Sequence, residues 1–363
     1  MTNLTSTKQP AKPALKLRFT GLRDLLTREL PPALPRIWPW LDSGESCLLW
    51  GGTGSGKSNL AMTLALGVAG GGRLLGLEFR NPCRVCYVDG EQSIRDLQSR
   101  FSFLGSAIEG HNSSAARDNL TVIARTESDS RSPFLDINCE DHARVLVRSL
   151  KAQRIEFIVF DNLSTLSASL KDENSAAEFK AMQALFAHLK GENIASVLVH
   201  HSGKANTAKA KTFRGSSNIA TTFERVVAIT RNDHTPPTEL AVCVEIQKYR
   251  AKPPPGFCSQ FHCRLETTED TSGCSVAARW IIDEDRRELA EIWRMFWNGE
   301  FESIADFVNE VNAKFGTRYR PNNFARDFSR RWQRDLGIPE ADIEKVKRCM
   351  KQPKARGFSG DEF

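Results

Sequence analysis

The sequence contains no long apolar run. Nowhere in its 363 residues does a stretch approach the ~18 apolar residues of a membrane span, so no membrane partner is expected. The opening residues, MTNLTSTKQPAKPALKLRF, lack the apolar core of a secretory signal. The nine cysteines follow no framework spacing, and Cys86 and Cys243 lie inside apolar runs. That excludes a disulfide scaffold and suits a reduced, cytoplasmic compartment. Cys83, Cys86, Cys258, His262 and Cys263 lie far apart in sequence, and Cys86 belongs to a strand pattern that needs no metal, so zinc is not expected. Internal repeats are absent.

What is present is the composition of an ordinary globular chain, 40% hydrophobic and 26% charged, long enough for one large core and a smaller satellite. The net charge of +6 is unevenly spread. Residues 1–36 hold seven cations (Lys8, Lys12, Lys16, Arg18, Arg23, Arg28, Arg36) against Asp24 and Glu29. This reads as a basic, largely flexible arm with one short helix in LRDLLTREL; it favours a polyanion or simply serves solubility. From 37 to 282, short apolar strand patterns alternate with helical ones. The pattern predicts an α/β domain with a mostly parallel sheet covered on both faces. RVVAIT, LAVCVEI and FHCRLE follow without a long helix between them and predict an antiparallel extension at one edge. From 283 to 363 the pattern is helical.

The segment GGTGSGKSN follows the strand CLLW and opens a helix. Gly51, Gly56, Lys57 and Ser58 fit the Walker A spacing G-x-x-x-x-G-K-[ST]. Backbone N–H groups of Gly51, Gly52, Thr53, Gly54, Ser55, Gly56, Lys57, Ser58 and Asn59 would cradle the phosphates of ATP at a helix N-terminus. Lys57 would reach the β- and γ-phosphates, and Ser58 would offer its hydroxyl to Mg²⁺. Asp161 ends the apolar strand EFIVFD at the sheet edge where α/β proteins bind ligands, and is the second Mg²⁺ anchor. Glu91, at the end of VCYVDGE, is the candidate general base for the attacking water. Asp89 competes for that role, and a bland alternative makes Glu91 an early helix residue favoured by the dipole.

A P-loop, a Glu after the next strand and an Asp on a later one together resemble the RecA-like P-loop ATPase core over about residues 35–265. More narrowly they resemble hexameric replicative helicases of the plasmid RepA and DnaB type. The resemblance implies a polar γ-phosphate sensor at His201, beside His200. It implies a nucleic-acid-gripping loop in SGKANTAKAKTFRGSSN, where Lys204, Lys209, Lys211 and Arg214 stand without an acid between Ser202 and Asn218. Such cations neutralise phosphates without reading sequence; the alternative is a solvated loop. The resemblance further implies that the K-x-R pair in EIQKYRAKPPP, Lys248 and Arg250, reaches a neighbouring subunit's γ-phosphate, Arg250 as arginine finger. Otherwise the two are surface cations on an edge strand.

The expectation is an Mg²⁺- and ATP-dependent ring, a hexamer of this chain, moving on single-stranded DNA or RNA. That describes a helicase of a plasmid, phage or mobile element, with a primase or initiator as partner. A recombination or repair filament of the RecA/RadA kind, or a regulatory ATPase that is no motor, uses the same core. In the C-terminal part, Phe324, Phe328 and Trp332 mark one buried stripe, with Arg326, Arg330, Arg331 and Arg334 on other faces. A helix-turn-helix or winged-helix module and a protein-docking domain both fit.

Overall fold

The computed structural model describes residues 17, 19–29, 33–129, 131–170, 179–201, 217–232, 239–251, 253, 258–283, 288–289, 291–293, 295–296, 301, 303–336, 338 and 340–350. Lys204, Lys209, Lys211 and Arg214 lie outside the described residues. The chain forms two units, Met1–Ala33 and Leu34–Phe363. The first carries helix α1, Leu22–Thr27, on which Leu22, Leu25 and Leu26 are exposed.

The second unit is built on a nine-stranded sheet. In chain order it opens with the short pair β1 (Pro35–Ile37) and β2 (Leu41–Asp42), then β3 (Ser46–Gly51) and helix α2 (Lys57–Gly70). A second hairpin, β4 (Gly72–Leu74) and β5 (Leu77–Phe79), precedes β6 (Val85–Asp89), α3 (Ile94–Leu104), α4 (Ser113–Asn119) and β7 (Leu120–Ala124). Next come α5 (Glu140–Ala152), β8 (Phe157–Asp161), α6 (Leu163–Leu166), α7 (Lys180–Gly191) and β9 (Ala195–His201). Helix α8 (Ser217–Thr222) leads into β10 (Arg225–Arg231), β11 (Leu240–Tyr249), β12 (Gln260–Glu269) and β13 (Ser275–Ile282).

The strand order is β13-β12-β11-β10-β3-β9-β8-β6-β7. From β10 to β7 every pairing is parallel, and β10-β11-β12-β13 are joined antiparallel. The sequence pattern is corrected once here and completed once. RVVAIT, expected to be antiparallel, is β10: it lies parallel to β3, and only its pairing with β11 is antiparallel, since the antiparallel extension begins after it. SVAARWII, which the sequence pattern assigns to no element, is the edge strand β13.

Side chains alternate along each strand, and the burial follows. Leu49, Tyr87, Val159 and Val199 face one apolar cluster with α2, α3 and α4. Leu48, Val88, Phe160 and Leu198 face the other with α5, α6, α7 and α8. Helix α2 is apolar all round and buried over nearly its whole length, which pins the loop before it. The helices Ile304–Phe315, Pro321–Leu336 and Glu340–Met350 share a separate cluster around Phe307, Phe324, Phe328 and Trp332. Among the described residues no helix is long and apolar enough to cross a membrane.

Candidate nucleotide site

The loop between β3 and α2 has the shape its glycines require. A Cβ on Gly51 would stand 2.1 Å from the Ile229 carbonyl oxygen of β10, so only glycine fits where the strand leaves the sheet. Gly56 caps α2 in the left-handed region, φ +79°, a conformation glycine adopts without penalty. It presents no side-chain cap to the first N–H groups of α2, which therefore face the loop. Ser55 Oγ is buried there without a hydrogen-bond partner among the described residues. A buried polar atom of this kind, at a helix N-terminus ringed by loop amides, is a fit for phosphate oxygens.

Lys57 is only 3% exposed, and its Nζ donates to the Gly52 carbonyl at 2.6 Å. Burial pulls its pKa down to about 8, against the opposing pull of Asp161 and Glu91. Asp161 ends β8, 2% exposed. It accepts a hydrogen bond from Tyr87 Oη at 2.6 Å and another from the Ser58 hydroxyl. Burial pushes its pKa up to about 6 despite those bonds. A carboxylate held so far from water, with a serine hydroxyl beside it, is a hard-oxygen set suited to Mg²⁺. Among the described residues no three His, Cys, Asp or Glu side chains converge on one point. Mg²⁺, which usually keeps several waters, does not require them.

The structure brings Glu91 and His201 together through a residue absent from the sequence reasoning, Asn162. The Asn162 side-chain oxygen accepts from the Thr165 backbone N–H at 3.2 Å, as the N-cap of α6. That fixes the amide orientation and turns Nδ2 outward. Nδ2 donates to Glu91 Oε2 at 2.7 Å and meets His201 Nε2 at 3.0 Å. Because an amide NH₂ only donates, Nε2 is the acceptor and the neutral ring carries its proton on Nδ1. Burial, chiefly, and the nearby Lys57 charge lower the His201 pKa, so the ring stays neutral. His200, one residue away on the opposite face of β9, is 1% exposed, and burial pulls its pKa down to about 4.

Asp89 and Glu91 part company in this geometry. β6 ends at Asp89, which is fully buried. Its carboxylate accepts from the backbone N–H of Glu91 at 2.8 Å and of Gln92 at 2.6 Å, and from Gln92 Nε2 at 2.7 Å. Asp89 therefore builds the turn, whereas Glu91 is exposed to the loop side. Tyr87 also escaped sequence reading. Its signal was faint: one of only three tyrosines in the chain, set between Cys86 and Val88 in a fully buried strand.

Lys248 and Arg250 lie elsewhere, each held by groups of its own chain. Arg250 Nη1 donates to Glu224 Oε1 at 2.9 Å and Nη2 to the Thr221 carbonyl at 2.8 Å. Lys248 Nζ donates to the Ala220 carbonyl at 2.7 Å. Glu224 also accepts from Lys190 at 2.7 Å and from the Ser46 backbone N–H and hydroxyl, each at 2.9 Å. In the sheet, Tyr249 pairs with Arg225, and Arg225 with Cys47, whereas the P-loop leaves from Gly51. At ~3.3 Å per residue the K-x-R pair thus sits about 13 Å along the strands from its own phosphate loop, at the opposite sheet edge.

No curated protein matches the chain. Similar solved structures include a KaiC-like protein of Pyrococcus horikoshii OT3, 19% identical with a TM-score of 0.44, over 64% of this chain and 90% of that one. The flagellar accessory protein FlaH of Methanocaldococcus jannaschii is 15% identical, TM-score 0.43, over 66% and 90%. The RadB recombinase is 14% identical, TM-score 0.39, over 62% and 88%. At such identities and scores the likeness says nothing about activity. Residues 11–207 match the family described as AAA domain, and with the P-loop on β3 and Asp161 on β8 in one parallel sheet, the chain belongs to that family and is a RecA-like P-loop ATPase.

Proposed function

We propose that this ATPase is a ring-forming motor on single-stranded nucleic acid, a replicative DNA helicase of a plasmid, phage or mobile element. The observation that carries the reading is the bridge from Glu91 through Asn162 to His201. His201 is the last residue of β9, and the cationic segment with Lys204, Lys209, Lys211 and Arg214 begins directly after it. A change at the candidate catalytic carboxylate is thereby one side chain from the segment best suited to hold phosphates. The division into a basic arm (1–36), an ATPase domain (37–282) and a helical C-terminal domain (283–363) belongs to the same reading.

In this mechanism the loop amides and Lys57 bind and orient the triphosphate. Ser58 and Asp161 would hold Mg²⁺, which when bound neutralises charge on the phosphate oxygens. Glu91 takes the proton of the attacking water, and Asn162 keeps its carboxylate aimed. His201, neutral, senses the γ-phosphate side and passes its state to the cationic segment beyond β9. Arg250 cannot reach the phosphates of its own chain, so a role on phosphate places it in a neighbour's site, which requires an assembly. In that role a guanidinium contributes on the order of 10³–10⁵ in rate.

The test is the steady-state ATPase rate with and without long single-stranded DNA, at two salt concentrations. Strong, salt-sensitive stimulation, reduced in Lys209→Ala with Lys211→Ala, is the expected outcome. A robust but unstimulated ATPase overturns the motor and leaves a regulatory ATPase. Electron micrographs of filaments in place of rings overturn the helicase in favour of a recombination protein.

A further inference from the structure

Two arginines of the C-terminal part, Arg326 and Arg330, share one exposed face of one helix. In Pro321–Leu336, Phe324, Phe328, Ser329 and Trp332 are buried, each no more than 3% exposed. At ~100° per residue, Asn323, Arg326 and Arg330 fall together within about 60° of arc on the opposite side, and all three are exposed. The connection from the helix Ile304–Phe315 adds two more exposed cations, Arg318 and Arg320.

That connection is a built turn. Gly316 ends the first helix in the left-handed region, φ +65°. Asn312 braces the residues after it: its Oδ1 accepts from the Tyr319 backbone N–H at 2.7 Å and the Thr317 hydroxyl at 2.9 Å, and its Nδ2 donates to the Tyr319 carbonyl at 3.0 Å. Glu291 pairs with Lys314 at 2.7 Å, and Glu288 accepts from Tyr319 Oη at 3.2 Å. Among the described residues no ion pair holds Arg318, Arg320 or Arg330.

We propose that the exposed face of Pro321–Leu336, with the turn before it, is a second nucleic-acid site, and that it takes duplex DNA. Two helices on one core, joined by a short glycine-containing turn, have the form in which the second helix enters a groove. A helix of roughly 10–12 Å diameter matches the ~12 Å major groove of B-form DNA. The major groove of duplex RNA is too narrow for it. Arg318, Arg320 and Arg330 neutralise backbone phosphates. Asn323 and Arg326, nearer the start of the helix, carry the side chains that pair with adenine and guanine edges. The site is independent of the ATP-coupled segment, so the motor reading can fail while this one stands, and the reverse.

The experiment uses the full-length protein without nucleotide. Fluorescence anisotropy follows binding to a labelled duplex DNA, to the same sequence as a single strand and as duplex RNA, across a salt series. Wild type is expected to bind duplex DNA more tightly than duplex RNA. R326A/R330A should weaken duplex DNA about tenfold or more and reduce the slope of log K against log salt by about 1, for the one phosphate contact that Arg330 makes. Single-strand binding should not change, the variant should still unfold cooperatively, and R330K should keep the wild-type salt slope on duplex DNA, since a phosphate needs only the charge. Tighter binding of duplex RNA, an unchanged slope in the alanine variant, or equal loss on single and double strands each overturns the proposal.

Discussion

Asn162 holds two jobs with one amide: its oxygen caps α6 and its nitrogen aims Glu91. The two can be separated. Asn162→Ala loses both, costing about 1 kcal/mol of stability for the cap. Asn162→Asp keeps a good cap but sets a carboxylate against Glu91. Both variants should lower kcat by roughly 10²-fold, as expected when a reacting group is displaced by about an ångström, with little change in KM for ATP. Glu91→Gln should retain ATP binding and lose about 10²–10⁴ in turnover. A normal kcat in Asn162→Asp, or near-normal turnover in Glu91→Gln, would reject the bridge.

Lys57 gives a pH prediction with a definite sign. Its pKa in the folded chain is about 8, lowered mainly by burial from 10.5. Below pH 8 the buried ammonium carries its full cost. Between about 8 and 10.5 the folded state sheds the proton more readily than the unfolded one, so this group makes stability rise with pH there. Phosphate in the site restores the charge. Calorimetric titration with ATP near pH 8.5, in two buffers of different ionisation heat, should therefore report proton uptake; none would mean that Lys57 is already charged.

At the scale of elements, the site depends on β3 and β10 lying side by side. Gly51 pairs with Ile229, and the missing Cβ is what lets the strands stay in register as the P-loop departs. The obstacle is a backbone oxygen at 2.1 Å, which cannot rotate away. Gly51→Ala should cost about 1–3 kcal/mol or more by overpacking and abolish the rise in Tm on adding ATP, measured by thermal unfolding. A stable variant with normal ATP-induced stabilisation would show that the loop can move aside.

For the whole molecule the deciding element is the far sheet edge. Arg250 pairs with Glu224, but its side chain is about half exposed, and Glu224 keeps Lys190 and Ser46 if it leaves. Exchange of Arg250 onto a neighbour's phosphate therefore strands no buried carboxylate. Arg250→Ala should bind ATP yet barely hydrolyse it, and mixing it into wild type should reduce activity more than in proportion. Activity that falls only by dilution would confine Arg250 to holding Glu224.

How much of this was legible beforehand depended on distance along the chain. The P-loop, Asp161 and Glu91 could be named from sequence because each lies at a strand end followed by its own loop, and apolar runs mark those ends. The stripe of Phe324, Phe328 and Trp332 showed itself for the same reason: one helix repeats its own period. Asn162 and Tyr87 could not be assigned partners, since their contacts exist only once β6 and β8 pair with Asp89 opposite Asp161. The fate of Arg250 was hidden likewise, because Glu224 lies in the turn before a neighbouring strand. β13 reads as a strand only when β12 supplies its hydrogen bonds. Sequence alone determined the local grammar of strand, loop and helix, set by backbone sterics and by the period of apolar side chains. Tertiary structure decided which polar groups meet, because a hydrogen bond or ion pair across strands depends on sheet order and register, which no single segment contains.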